Sequence, residues 1–169
     1  MSPLVSIILG SDSDLSVMKG ATDVLEEFGV AHEILVISAH RNPHGLSQHI
    51  KDSHALVFIG AAGGAAHLPG VIAAQTTAPV IGVPIKTKSM EGLDSLLSIA
   101  QMPAGVPVAT VAVDGARNAG ILAVQILSVA DADLAAKLKE FKNKMKEGVE
   151  KKSKKLQEVG IKRYLADMK

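Results

Sequence analysis

Over the first three-quarters of the chain, short and almost wholly apolar runs alternate with segments whose apolar residues recur every three or four positions. Residues 5–9 predict a strand that stops at Gly10. Residues 13–28 have helical period, with Val17, Met18, Ala21, Val24, Leu25 and Phe28 on one side and Gly29 as the closing residue. Residues 33–37 predict a second strand, and Pro43 suits the first turn of a second helix. A third strand over 55–59 leads into a loop that begins at Gly60, and a short helix covers 67–75. A fourth strand follows at 79–83. A helix over 92–99 carries Leu93, Leu96, Leu97 and Ala100 as its apolar side. Residues 106–113 predict the fifth strand and 118–127 an apolar helix.

Apolar strands without alternation belong to a parallel sheet buried on both faces. The expected fold is α/β: a three-layer α/β/α sandwich around a five-stranded parallel sheet. From Asp131 the pattern changes. Leu134, Leu138, Phe141, Met145 and Val149 follow steps of three and four, and Leu156, Val159, Ile161, Leu165 and Met168 continue beyond Gly148. One helix over 131–168 would be roughly 57 Å long at about 1.5 Å per residue, longer than a small domain is wide. It must therefore project, fold back at Gly148 or Gly160, or dock on another subunit. The expectation is an α/β catalytic unit over 1–130. Residues 131–169 would be a helical extension of the same domain, making contacts in a homo-oligomer.

The 169 residues suit one domain, and with 47% hydrophobic and 21% charged residues the chain can build an ordinary core. Cysteine is absent, which removes thiolate catalysis, disulfides and cysteine-ligated metals. No apolar run approaches the roughly 18 residues of a membrane span, and residues 1–10 lack the basic region of a signal peptide. These features predict a soluble, cytoplasmic protein with no membrane partner. Aromatic residues make up 2% of the chain, too few for a base-stacking platform, so no nucleic-acid partner is expected. Residues 131–169 carry 12 Lys/Arg against 7 Asp/Glu, net +5, while the preceding residues are net −4. Acidic and basic residues are interspersed in that tail, the pattern of a solvated helix face.

Ligands of open parallel sheets bind beyond the carboxyl ends of the strands, and three polar or glycine-rich loops leave such ends here. The first is Gly10-Ser11-Asp12-Ser13-Asp14. Its hydroxyls at a helix start suit a phosphate, while a carboxylate there suits sugar hydroxyls. It matches neither dinucleotide-binding nor triphosphate-binding glycine motifs. The second is Ser38-Ala39-His40-Arg41-Asn42-Pro43, which pairs a proton-exchanging imidazole with a phosphate-clamping guanidinium. Pro43 between His40 and His44 argues against a shared metal face, and no metal is expected. His32, His49 and His54 are assigned no role. The third, residues 60–70, holds four Gly and four Ala with His67 as its polar side chain. Such a wall leaves room for a ligand and exposes backbone donors.

Together these loops resemble the catalytic subunit of phosphoribosylaminoimidazole carboxylase, a purine-biosynthesis family, in its class I form, N5-carboxyaminoimidazole ribonucleotide mutase. The resemblance rests on GSDSD after the first strand, SAHR after the second and GGAAHLPG after the third. It continues through Gly82-Val83-Pro84, residues 92–99, Gln101-Met102-Pro103 and residues 105–110, in order from about residue 5 to 128.

The resemblance implies a flavodoxin-like sandwich, a homo-octamer with sites where subunits meet, and no cofactor. It implies a ribonucleotide substrate, supplied by a separate ATP-dependent carboxyaminoimidazole ribonucleotide synthase. It puts Ser11, Ser13 and Arg41 around the substrate phosphate and Asp14 on the ribose. It makes His40 the general acid and base. It sets Ser38, Ala39, Gly63, Gly64, Ala65, Ala66, His67 and Leu68 around the imidazole and the migrating carboxylate.

Two departures stand out. Ala61 replaces a usual glycine and is expected to narrow the third loop. The stretch between His40 and Gly60 is several residues shorter than usual. The sibling activity, direct carboxylation of aminoimidazole ribonucleotide by CO2, is the alternative. A phospho-acceptor response regulator is excluded by Gly60-Ala61, where that fold requires Asp.

Overall fold

A computed structural model describes residues 2–168. Five strands, β1 (Val5–Leu9), β2 (His32–Val36), β3 (Val57–Gly63), β4 (Val80–Ile85) and β5 (Ala109–Thr110), form one sheet in the order β2-β1-β3-β4-β5. Every pairing is parallel. Six helices surround it: α1 (Leu15–Phe28), α2 (Pro43–Asp52), α3 (Leu68–Ala73), α4 (Leu93–Ala100), α5 (Ala116–Leu127) and α6 (Ala132–Ala166).

Strand alternation divides the core in two. Val5, Ile7 and Leu9 pack with Met18, Leu25, Ala119 and Ala123 of α1 and α5, whereas Ile8 packs with Leu46, Phe58, Leu68, Ile72 and Ile99 on the opposite side. This is the expected three-layer sandwich, with the chain moving from β1 outward to β2 and then back across to β3. Such a reversal of strand order opens a crevice at the carboxyl ends of β1 and β3.

Three sequence expectations change, and one of the outcomes left open for the last helix is chosen. β3 does not stop at residue 59. Gly60, Ala61, Ala62 and Gly63 continue the ladder against Gly82, Val83, Pro84 and Ile85 of β4. This is the middle of a sheet covered on both faces, and small residues there admit close helix packing: a Cβ on Gly60 would lie 3.1 Å from Pro69 and Ile72 atoms. β5 shrinks to two residues. Its partner β4 carries Pro84, which has no N–H to continue the ladder, and Pro107 lacks one on the approach. Isolated bonds from Val111 to Gly82 and from Asp114 to Pro84 hold the chain alongside.

The apolar side expected for α4 is not the buried one. Leu93 and Leu97 are 49% and 44% exposed, while Ser95 and Ile99 are fully buried. Lastly, α6 docks only by its beginning. Leu134 and Leu138 are buried and Phe141 meets Phe28 edge-on at 5.6 Å, but Met145 and Val149 are exposed. At Gly160 (φ 73°) the helical conformation breaks. Lys155 Nζ then reaches Asp167 Oδ2 at 3.1 Å, where twelve further helical residues would have carried the chain about 18 Å away. The chain therefore folds back at Gly160, one of the outcomes expected of a helix this long. No helix among the described residues is long and apolar enough to cross a membrane.

Candidate active site

The carboxyl ends of β1, β2 and β3 converge on a cavity of about 450 Å³. After β1, Ser11 caps a 3-10 turn over Asp12–Asp14: its Oγ accepts from the Ser13 N–H. Ser11, Ser13 and Asp14 all line the cavity, and the Ser11 hydroxyl serves as the cap as well. Ser13 Oγ stands 2.9 Å from both Ser11 Oγ and Asp14 Oδ1. Burial pushes the Asp14 carboxyl above its ordinary value of 3.8, and the hydrogen bond from Ser13 opposes the shift. The negative charges of Asp12 and Asp114 push the same way as burial.

After β2 the chain turns through Ser38, whose Oγ accepts from the Arg41 N–H. The Arg41 guanidinium donates from Nη2 to the Gly10 carbonyl at 2.7 Å, tying the second loop to the first. Asn42 then caps α2 through the Gly45 N–H, and Pro43 occupies its first turn. These local bonds place His40 and Arg41 at the rim between β1 and β3.

The end of β3 and the turn after it form the third wall. Ala62, Gly63, Ala65 and Leu68 line the cavity, and Gly64 turns in the left-handed region at φ 68°. Ala61 does not narrow this loop as expected. It is a strand residue whose side chain joins the core on the α1 and α5 side, and its neighbour Ala62 faces the cavity.

Of the candidate residues, Ser11, Ser13, Asp14, Ser38, Ala39, His40, Arg41, Gly63, Ala65 and Leu68 line the one cavity. Gly64, Ala66 and His67 do not. Ala66 is fully buried. His67 stands at the start of α3 and brings its Nδ1 within 2.9 Å of His40 Nε2, the rings crossing at 88°. It also borders a second, mainly apolar hollow with Gly70, Val71, Ala74, Ser98 and Met102. Sequence reasoning missed Gly10 and Ala62 as lining residues. The signal for Ala62 was available only once β3 was known to run to Gly63, since strand alternation then turns it to the cavity. Among the described residues, no three His, Asp or Glu side chains converge as a metal site requires.

The family model for AIR carboxylase matches residues 4–148. The chain belongs to the AIR carboxylase family. The N5-carboxyaminoimidazole ribonucleotide mutase of Pyrococcus horikoshii is 55% identical over 168 residues, covering 98% of this chain and 95% of that protein. The phosphoribosylaminoimidazole carboxylase of Candida glabrata is 50% identical over 166 residues, 96% of this chain but 29% of that longer protein. The crystal structure of Treponema denticola PurE superposes with a TM-score of 0.80 at 26% identity, covering 94% of this chain and 99% of that one.

Proposed function

We propose that the protein is an N5-carboxyaminoimidazole ribonucleotide mutase of purine biosynthesis, with His40 as its general acid and base. The observation that carries this reading is the meeting, in one cavity, of hydroxyls and a guanidinium suited to phosphate, a single loop imidazole, and a Gly/Ala wall without bulk or nucleophiles. A relative named as this mutase, matched over nearly the whole of both chains, supports it.

The substrate carries its carboxylate as a carbamate on the exocyclic nitrogen, and the product carries it on ring carbon C4. The N–C bond breaks to release CO2, and the nitrogen takes a proton from His40. The electron-rich C4 attacks the retained CO2. His40 then removes the C4 proton and is restored. One group serves both transfers, so the step is an isomerisation with no cofactor. Proton transfer by such a group contributes about 10²–10⁴-fold. Holding CO2 against C4 in a small pocket contributes more, since proximity and orientation are worth roughly 7–11 kcal/mol. Ser11, Ser13 and Arg41 would hold the phosphate and Asp14 the ribose.

The cavity is open and His40 is exposed on the single chain. With the uncovered Leu93, Leu97 and Leu165, this supports sites completed by other subunits of a homo-octamer. A cytoplasmic location and supply of the labile carbamate by an ATP-dependent synthase follow from the same reading.

The similarity to the fungal carboxylase makes direct carboxylation the second reading. Purified protein without ATP separates the two. One mixture holds N5-carboxyaminoimidazole ribonucleotide in CO2-depleted buffer with a scavenger for the free amine. The other holds aminoimidazole ribonucleotide with modest bicarbonate. Product above the spontaneous rate in the first alone is the expected result, and product in the second alone overturns the mutase reading.

A further inference from the structure

Helix α4 meets the sheet through a hydroxyl. Ser95 is fully buried, where an unpartnered polar group is unfavourable. Its Oγ donates to the Ile85 carbonyl at 2.7 Å and accepts from the Gly64 N–H at 2.9 Å. Ile85 ends β4, and Gly64 directly follows Gly63, its partner at the last rung of the β3–β4 pairing. One side chain therefore joins the carboxyl ends of two neighbouring strands.

Three residues later on α4, Ser98 Oγ lies 2.7 Å from the Asp94 carbonyl and 3.3 Å from the Gly64 carbonyl. That same Gly64 carbonyl accepts from the Ala66 N–H at 2.8 Å. The Gly64 N–H is thus held by α4, at a residue in positive φ, while the single Ser98 O–H goes first to the Asp94 carbonyl and reaches the Gly64 carbonyl only as a longer, shared contact. On either side of it, Gly63 and Ala65 form the cavity wall. Two residues beyond Ala65 stands His67, in contact with His40.

We infer that Ser95 and Ser98 are positioning residues for the reaction, acting from behind the cavity through Gly64 to set where the wall at 63–65 and the His67 ring stand. The inference rests on the mutase reading above. Neither serine lines the cavity. Leu93 and Leu97 on the other face of α4 take no part.

The test uses the full-length protein with Ser95→Ala, Ser95→Cys, Ser98→Ala and Ser98→Thr. Inorganic phosphate as an inhibitor reports on the separate Ser11, Ser13 and Arg41 region. For Ser95→Ala, kcat is expected to fall about tenfold to a hundredfold, the cost of moving a reacting group by about 1 Å, with phosphate inhibition changed by less than about twofold. Ser95→Cys fills the site with a somewhat larger, weakly hydrogen-bonding thiol, and is expected to behave like Ser95→Ala. Ser98→Ala is expected to lose less, and Ser98→Thr, which keeps the hydroxyl, to recover kcat. Hydrogen exchange over residues 60–67 should quicken in Ser95→Ala.

Wild-type kcat in Ser95→Ala and Ser95→Cys, whatever their thermal stability, overturns the inference. Equal losses of kcat and phosphate affinity do so too, because they mark general damage. If Ser95→Ala does not fold, the Ser98 pair decides alone. Should the wild-type protein turn over neither starting mixture, the mutase reading fails, and unchanged exchange over 60–67 in Ser95→Ala then separately overturns the positioning role.

Discussion

His40 Nε2 lies 2.9 Å from His67 Nδ1, although the two residues are 27 positions apart. One ring must donate to the other across this contact, so the tautomer of each neutral ring fixes that of its neighbour. His40→Asn is expected to lower kcat by at least the roughly 10²-fold that a general acid–base group supplies. His67→Asn should cost less. The double variant should be no slower than His40→Asn, because the second change acts through a ring already gone. Steady-state kinetics on the three variants check this, and additive losses would mean that His67 acts independently.

Arg41 reaches the Gly10 carbonyl with one guanidinium nitrogen. A planar fork can hold that carbonyl and an incoming phosphate together, and an ammonium cannot reproduce the geometry. Arg41→Lys should raise KM by about tenfold, with a smaller change in kcat, the scale of one charge-assisted hydrogen bond. A kcat loss exceeding the KM rise would place Arg41 in the chemical step instead.

Asp14 is a buried acid whose proton affinity is raised above the ordinary value of 3.8, first by burial. Its folded state holds the proton more tightly than the unfolded chain does, so stability falls as pH rises from below 3.8 through the raised value. Asp14→Asn removes that cost. At pH 7 it should melt higher than wild type, and the gap should close below the ordinary carboxylate range. In the same variant KM should rise, because the carboxylate proposed for the ribose is lost. Thermal melts across pH, paired with kinetics, test both halves, and a lower melting point at pH 7 would contradict the first.

Leu93 and Leu97 are nearly half exposed on the outer face of α4. If this face is covered by another subunit, Leu97→Glu places a charge in an apolar contact. Assembly should then fall to smaller species in light scattering, with activity lost in parallel. Wild-type assembly and activity together would remove α4 from the interface.

The sequence alone determined the rhythm of five strands and their helices, and the three loops that end β1, β2 and β3. Apolar period reports which side of its own element a residue occupies, and loop composition reports what chemistry a strand end carries. The parallel sheet follows from strands apolar on both faces, and with it the common end where Ser13, His40 and Gly63 gather.

Only the tertiary structure decided the rest. The run at 60–63 reads as a loop by composition, yet it is strand because β4 offers a full row of partners beside it. Pro84 in that same row is why β5 is short. The leucines of α4 outweigh Ser95 on any hydropathy scale. The hydroxyl is buried because Ile85 and Gly64 satisfy it there, and those partners stand at the carboxyl ends of β4 and β3. The contact between His40 and His67 likewise depends on where α3 begins relative to the end of β2. Local pattern assigns a residue to a face, but the hydrogen bonds and packing that hold it there come from segments far along the chain.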